Sequence, residues 1–113
     1  MRSATAAPDL EGMILAIVDS VNSVPVRLTE QRWDHILTNH LELSNSDMDL
    51  ILDAVQHPEY ILSGYKGSLI AVVALGKSRY LHVVYKEVTR DDGFIITAGI
   101  RPKMRKKNIL WRR

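Results

Sequence analysis

Histidine is the residue type in this sequence best suited to move protons. The chain has four histidines and no cysteine, and the ordinary pKa of an imidazole lies close to cellular pH. His35 and His40 lie five residues apart in a predicted helix, about 140° around its axis, so they cannot bind one zinc ion as an i, i+4 pair does. We therefore expect acid–base chemistry and no metal site.

Each of three histidines also has a purely structural interpretation. His40 falls within the apolar stripe of its helix, where a buried and hydrogen-bonded histidine is common. His35 points away from that stripe and can simply be exposed. His57 follows a second predicted helix, where an imidazole favourably meets the last carbonyl groups.

A predicted β-hairpin brings further polar groups together. A two-residue turn at Asp92-Gly93 would set Lys86 opposite Gly99. Strand alternation would then make Thr97 and Arg101 diagonal neighbours of Lys86, at roughly 7 Å. A sheet with one polar face is ordinary, and a shift of one residue would abolish the cluster. The polar residues predicted to share this face are His82, Lys86, Thr97 and Arg101.

These side chains suit cleavage of RNA by its own 2′-hydroxyl group. That reaction needs proton transfer and charge stabilisation, but neither a metal nor a protein nucleophile. A histidine would act as base or acid, and Thr97 would hold a phosphate oxygen. Lys86 and Arg101 would stabilise the pentacoordinate phosphate. No cofactor is implied.

The charge of the chain is divided unevenly. Seven of the fifteen Lys and Arg residues lie in 101–113, which contains no Asp or Glu, whereas the first hundred residues carry a net charge of −5. A concentrated cationic patch of this kind is typical of proteins that bind RNA or an acidic protein, although a solvated basic terminus has the same pattern. Arg105, Lys106 and Lys107 are the predicted RNA contacts, and Trp111 is expected to pin the tail to the core.

Periodicity predicts an α+β fold. Residues 1–12 have no pattern and are predicted to be a flexible leader, and 13–113 a single domain. Thr29 is the expected N-cap of a helix over 30–41, and a second helix is expected to follow Ser46 and end near His57. A short N-terminal strand or a hairpin around 21–23 is also expected. The two helices are expected to pack on one face of an antiparallel meander. Its predicted strands are 60–63, 69–75, 80–88 and 94–101.

Composition favours a cytoplasmic protein. Without cysteine the chain can form no disulfide, which suits a reducing compartment. The apolar run from Met13 to Val18 is far shorter than the roughly 20 residues of a membrane span, and the N-terminal residues lack the features of a signal peptide.

Several short patterns, taken in order, resemble a known family. They are Val26 to Leu37 followed by His40, Ile51 to Pro58 leading into Tyr60, Leu81 to Lys86, Phe94 to Ala98, and a basic tail closing on Leu110-Trp111. This order, over about 24–111, resembles the phage and prophage branch of the barnase/EndoU/colicin/RelE-like nuclease superfamily, which consists of small toxin-type ribonuclease domains.

The resemblance implies a RelE- or barnase-like fold and an active site that joins a helix histidine to groups from the sheet. It departs from the family at two positions, since Leu41 stands where proline usually follows the second histidine, and Gly99 where an aromatic residue is common. The function implied is a metal-independent endoribonuclease of a toxin–antitoxin or prophage system, bound by an antitoxin or immunity protein. The alternative is a non-catalytic module that binds RNA or an acidic protein. The implied site residues are His35 or His40 with Lys86, Thr97, Arg101 and Lys106.

Overall fold

A single seven-stranded sheet with two helices forms the architecture of the computed structural model, which describes residues 12–113. The predicted leader therefore lies outside the described residues, apart from Gly12. The protein is α+β, as predicted. The strands are β1 (Ile14–Asp19), β2 (Pro25–Thr29), β3 (Tyr60–Ser63), β4 (Leu69–Gly76), β5 (Arg79–Thr89), β6 (Asp92–Arg101) and β7 (Ile109–Arg112), and the helices are α1 (Glu30–Asn39) and α2 (Met48–Gln56).

Both helices form where the apolar period predicts them, and Thr29 caps α1 as expected, but Asp47 and not Ser46 is the N-cap residue of α2. The Thr29 hydroxyl accepts a hydrogen bond from the Arg32 backbone N–H at 3.2 Å, which satisfies one of the free N–H groups at the start of α1. Trp33 and Ile36 form the buried side of this helix. A short 3-10 turn over Asn45–Asp47 precedes α2. Within the described residues, no helix is long and apolar enough to span a membrane.

The sheet is mixed, which corrects the predicted antiparallel arrangement. Its strand order is β1-β2-β6-β5-β4-β3-β7. The antiparallel meander β3 to β6 and the β1–β2 hairpin are confirmed, but β2 pairs with β6 in parallel.

Gly93 lies where β2, β5 and β6 approach one another closely. A Cβ atom at this position would lie only 2.7 Å from the Lys86 carbonyl oxygen and 3.3 Å from Val24 Cγ1. Arg27 of β2 stabilises the same junction, since its guanidinium forms an ion pair with Asp92 and donates to the Gly93 carbonyl at 3.2 Å. A side chain at position 93 would thus clash with β5 and crowd the residue that precedes β2.

Alternate residues of β5 face two different environments. Leu81, Val83 and Tyr85 are completely buried among side chains from α1 and α2. We call this side of the sheet the helix face and the opposite side the open face. On β5 the open face carries His82, Val84 and Lys86, all of which are partly exposed.

The basic tail is not a free terminus. Four antiparallel steps separate β6 from β7, so the two strands run in the same direction, and residues 102–108 must cross β5, β4 and β3 to connect them. We call residues 102–108 the strap. It crosses the open face, where Pro102 to Arg105 line a groove together with Leu62, Ile70 and His82. The sequence did not predict β7, although Trp111 was expected to fix the tail, and it does pair with Ile61 of β3.

Candidate functional site

The register of the β5–β6 hairpin differs from the predicted one. The turn lies at Arg90-Asp91, so that Thr89 pairs with Asp92, and Gly99 lies opposite His82 instead of Lys86. The pairing shifts twice, because Val88 in β5 and Ile96 in β6 have no partner in the ladder. Each bulge inserts one extra residue, and because the two lie on opposite strands, the second restores the register that the first had shifted.

The cluster expected around Lys86 is consequently divided. Thr97 pairs with Val84 and remains a diagonal neighbour of Lys86, but Arg101 pairs with Tyr80. Tyr80 is six residues from Lys86, which is about 20 Å along a strand. The Lys86 ammonium group donates instead to the Lys66 carbonyl at 3.4 Å. Lys86 and Arg101 therefore lie in two different parts of the open face.

His40 joins the end of α1 to the part of β6 that lies beyond its short pairing with β2 at Gly93 and Phe94. It is the C-cap residue of the helix, and its Nε2 lies 3.4 Å from the Thr97 hydroxyl. Its Nδ1 lies 3.5 Å from the Glu42 carboxylate, which also accepts the Ile100 backbone N–H at 3.1 Å. These contacts orient the imidazole beside β6, and about 30% of its side chain stays exposed.

Gly99 is the reason that the His40 ring fits there. A Cβ atom at Gly99 would lie 3.0 Å from His40 Nδ1 and 3.2 Å from its Cε1. Cβ atoms of directly opposite residues are 4.5–5.5 Å apart, so His40 Nδ1 lies within about 8.5 Å of the His82 Cβ atom. Gly99 thus lies between the two histidines, since the His40 ring packs against it and His82 pairs with it across the ladder.

His82 is a half-buried histidine with a defined tautomer. Its Nδ1 lies 3.1 Å from the Tyr80 carbonyl oxygen, which can only accept a hydrogen bond, so Nδ1 carries the proton and Nε2 keeps a lone pair in the neutral ring. Burial lowers the pKa of His82, and the nearby positive charge of Arg101 lowers it further, against the opposing effect of the Tyr80 carbonyl. The ring is therefore neutral at pH 7.

The pKa of Glu42 is also lowered. The largest cause is a hydrogen bond from its own backbone N–H, and the Ile100 N–H and His40 act in the same direction, against desolvation. Glu42 is therefore a carboxylate at neutral pH. It can keep accepting from Ile100 while it orients His40.

The strap and the sheet enclose a groove of about 640 Å³ on the open face. Its polar lining consists of His82 and three cationic residues, Arg101, Lys103 and Arg105, whose side chains are exposed. Since cations from the strap lie over the strand that carries His82, the basic segment and the histidine belong to one surface.

The other predicted site residues lie elsewhere. His35 is exposed on α1, and its Nδ1 contacts the Asn39 amide at 3.2 Å. Lys106 and Lys107 are exposed near the end of the strap and do not line the groove. Throughout residues 12–113, no three His, Asp or Glu side chains gather in a way that could hold a metal ion.

Two residues of this site were not among those chosen from the sequence. Strand alternation had placed His82 on the polar face, but the predicted register put it away from Gly99. Glu42 had no signal in the sequence, because it follows α1 in a loop and contacts a strand 58 residues away.

Comparison of this chain with protein-family models, with curated proteins and with solved structures finds no match.

Proposed function

We propose that this protein is a toxin-type endoribonuclease, with a RelE- or barnase-like fold, that cleaves RNA without a metal. The observation that carries the proposal is the pair of histidines on either side of Gly99, with Thr97 and Arg101 on the same strand as this glycine. A site for phosphate cleavage needs two proton-transfer groups and a positive charge within reach of one phosphate.

The roles follow from protonation and contacts. Neutral His82 takes the proton of the 2′-hydroxyl through Nε2, while the 2′-oxygen forms a bond to phosphorus. His40 gives a proton to the departing 5′-oxygen as the phosphorus–oxygen bond breaks, which leaves a 2′,3′-cyclic phosphate and a 5′-hydroxyl. Arg101 stabilises the charge of the pentacoordinate phosphate, and Thr97 donates to one of its oxygens.

RNA affinity comes from the strap in this proposal. Arg105 lines the groove, and Lys106 and Lys107 extend the same cationic surface along the chain. Contacts of this type attract the phosphate backbone without reading its sequence. An antitoxin or immunity protein that inhibits the enzyme in the cytoplasm would cover this surface with acidic residues.

The separation of Lys86 from Arg101 favours a second candidate function. Because the expected cluster is divided, the open face can serve as a non-catalytic surface that binds RNA or an acidic protein. Binding of this kind needs the cations of the strap but neither histidine.

Cleavage in EDTA distinguishes the two functions. The purified protein is incubated with a labelled single-stranded RNA and EDTA, and the product ends are identified by mass spectrometry. We expect 2′,3′-cyclic phosphate ends, and we expect them to disappear for His40→Ala that is shown to be folded by circular dichroism. Intact RNA that nevertheless binds the protein would contradict catalysis and favour the binding module. Equal cleavage by wild type and His40→Ala would indicate a contaminating nuclease.

A further inference from the structure

The floor of the groove is apolar, although the open face on which it lies also carries polar side chains. Leu62, Ile70 and Val84 occupy neighbouring positions on β3, β4 and β5, because Leu62 pairs with Ile70 and Ile70 pairs with Val84. Met104 of the strap lines the groove with them. The three floor positions span about 10 Å across the strands. The result is a flat apolar slot between a sheet and a strap.

The rim of the groove has the opposite character. Arg101, Lys103 and Arg105 are exposed along it, and none of its lining residues, all within the described part of the chain, is acidic. A ligand that fits both parts has a flat, weakly polar body and one or more negative charges. The volume is also within the usual range of about 300–1,000 Å³ for small-molecule sites.

The slot lies next to both histidines of the candidate site. Val84 of the floor pairs directly with Thr97, whose hydroxyl contacts His40, and His82 lines the groove itself. A phosphate held near Thr97 would therefore have the edge of the slot beside it. We infer that the groove under the strap is a nucleobase subsite, in which one base of a single-stranded RNA lies flat between the sheet and Met104 while the flanking phosphates contact Arg101, Lys103 and Arg105.

This inference rests on the proposed nuclease function for its place in the reaction, but the binding itself can be measured without any cleavage. A base in the slot is expected to stack on aliphatic and sulfur atoms, which discriminates weakly between the four bases. The groove would then hold the substrate in place, and sequence preference would be low.

The test uses nucleoside 3′-monophosphates of the four bases and inorganic phosphate as probes, with the full chain, in titration calorimetry. We expect each nucleotide to bind at least about tenfold more tightly than phosphate, because only the nucleotide fills the slot. Val84→Trp fills the floor and should remove this advantage. Val88→Trp is the matched control, since Val88 lies on the same strand, is 50% exposed and does not line the groove.

A second variant covers the case in which Val84→Trp does not fold. Met104→Ala removes the upper contact of the slot from the strap, and it should weaken nucleotide binding severalfold while phosphate binding stays the same. Nucleotides that bind no better than phosphate would overturn the inference, and so would a folded Val84→Trp or Met104→Ala with unchanged nucleotide affinity. Tighter binding of decanoate than of any nucleotide would overturn it in favour of an acyl-chain site.

The two proposals fail in different ways. Cleavage of RNA in EDTA without a preference for nucleotides over phosphate would contradict the base subsite alone. Nucleotide binding that Val84→Trp removes, in a protein that leaves RNA intact, would contradict the nuclease function alone.

Discussion

The helix face and the open face of β5 differ in what their side chains contact. On the helix face, Val83 is completely buried in the core, whereas its neighbour Val84 faces the groove and is half-buried. His82 likewise follows Leu81, which is inaccessible to solvent. Since strand residues alternate between faces, one strand supplies both the core and the candidate site. Substitutions on the helix face of β5 should therefore lower mainly the stability of the protein, and substitutions on its open face mainly the activity.

The largest expected effect concerns the histidines of the open face. We predict that His82→Ala and His40→Ala each lower the rate of RNA cleavage by about 10²-fold or more, because each removes a proton-transfer group. Single-turnover cleavage in EDTA measures the rates. His35→Ala is the matched control, since His35 is exposed on the same helix as His40 and should leave the rate unchanged. A loss with His35→Ala as large as with His40→Ala would place the proton transfer elsewhere.

Two adjacent valines test how much each face of β5 contributes to stability. Val83→Ala should lower the free energy of unfolding by about 2–3 kcal/mol, because it removes buried methyl groups and leaves a cavity. Val84→Ala deletes the same atoms from a half-buried position and should cost about 1 kcal/mol. Urea denaturation monitored by tryptophan fluorescence gives both values. Equal losses would mean that the strap packs on the open face as tightly as the helices pack on the other.

The strap should influence RNA affinity more than stability. We predict that replacing both Arg105 and Lys106 with Glu weakens RNA binding uniformly across sequences and reduces the salt slope of binding by about 1.4, since each phosphate contact on a single strand contributes about 0.7. Fluorescence anisotropy over a range of salt concentrations gives the slope. A double variant with Glu in place of Arg32 and Arg90 has the same charge change away from the strap and is the control. Equal slopes for the two double variants would mean that the strap makes no phosphate contacts.

The smallest expected effect is a pH dependence of stability from His82. Its pKa is lower in the folded protein than in the unfolded chain, where it is near 6.5. Below pH 6.5 the unfolded chain binds the proton first, so the free energy of unfolding falls from pH 6.5 down to the folded pKa and is constant at lower pH as far as this group is concerned. His82→Gln should flatten this part of the stability curve. An unchanged slope in the variant would assign the effect to another group.

Local patterns in the sequence predicted the elements well. Apolar periods and the Thr29 cap gave both helices to within about two residues, and the predicted meander strands match β3 to β6 closely. Each of these signals is contained within a few neighbouring residues. They therefore needed no knowledge of distant contacts.

Features that depend on distant contacts were not predicted. The turn lies at Arg90-Asp91 and not at Asp92-Gly93, which moves the partner of Gly99 from Lys86 to His82. Asp92 and Gly93 instead contact Arg27 of β2, which no local pattern indicates. The parallel pairing of β2 with β6 joins residues more than 60 positions apart in the chain, such as Val26 and Gly93, so no local pattern indicates it. The candidate site shows the consequence of the register error, because Arg101 was expected beside Lys86 and lies near His82 instead.

The crossing of the strap has a consequence for how the protein folds. Residues 102–108 can close over the open face only after β3, β4 and β5 have paired, because β7 has no edge to join until β3 is in place. Pairing between distant parts of a chain is slowed by the entropy of closing the loop between them. The core can then be complete while the groove is still unformed, and pulsed hydrogen exchange should show backbone amides of β7 gaining protection after those of β5. The two histidines beside Gly99 would thus be in place before the groove that is proposed to hold the base.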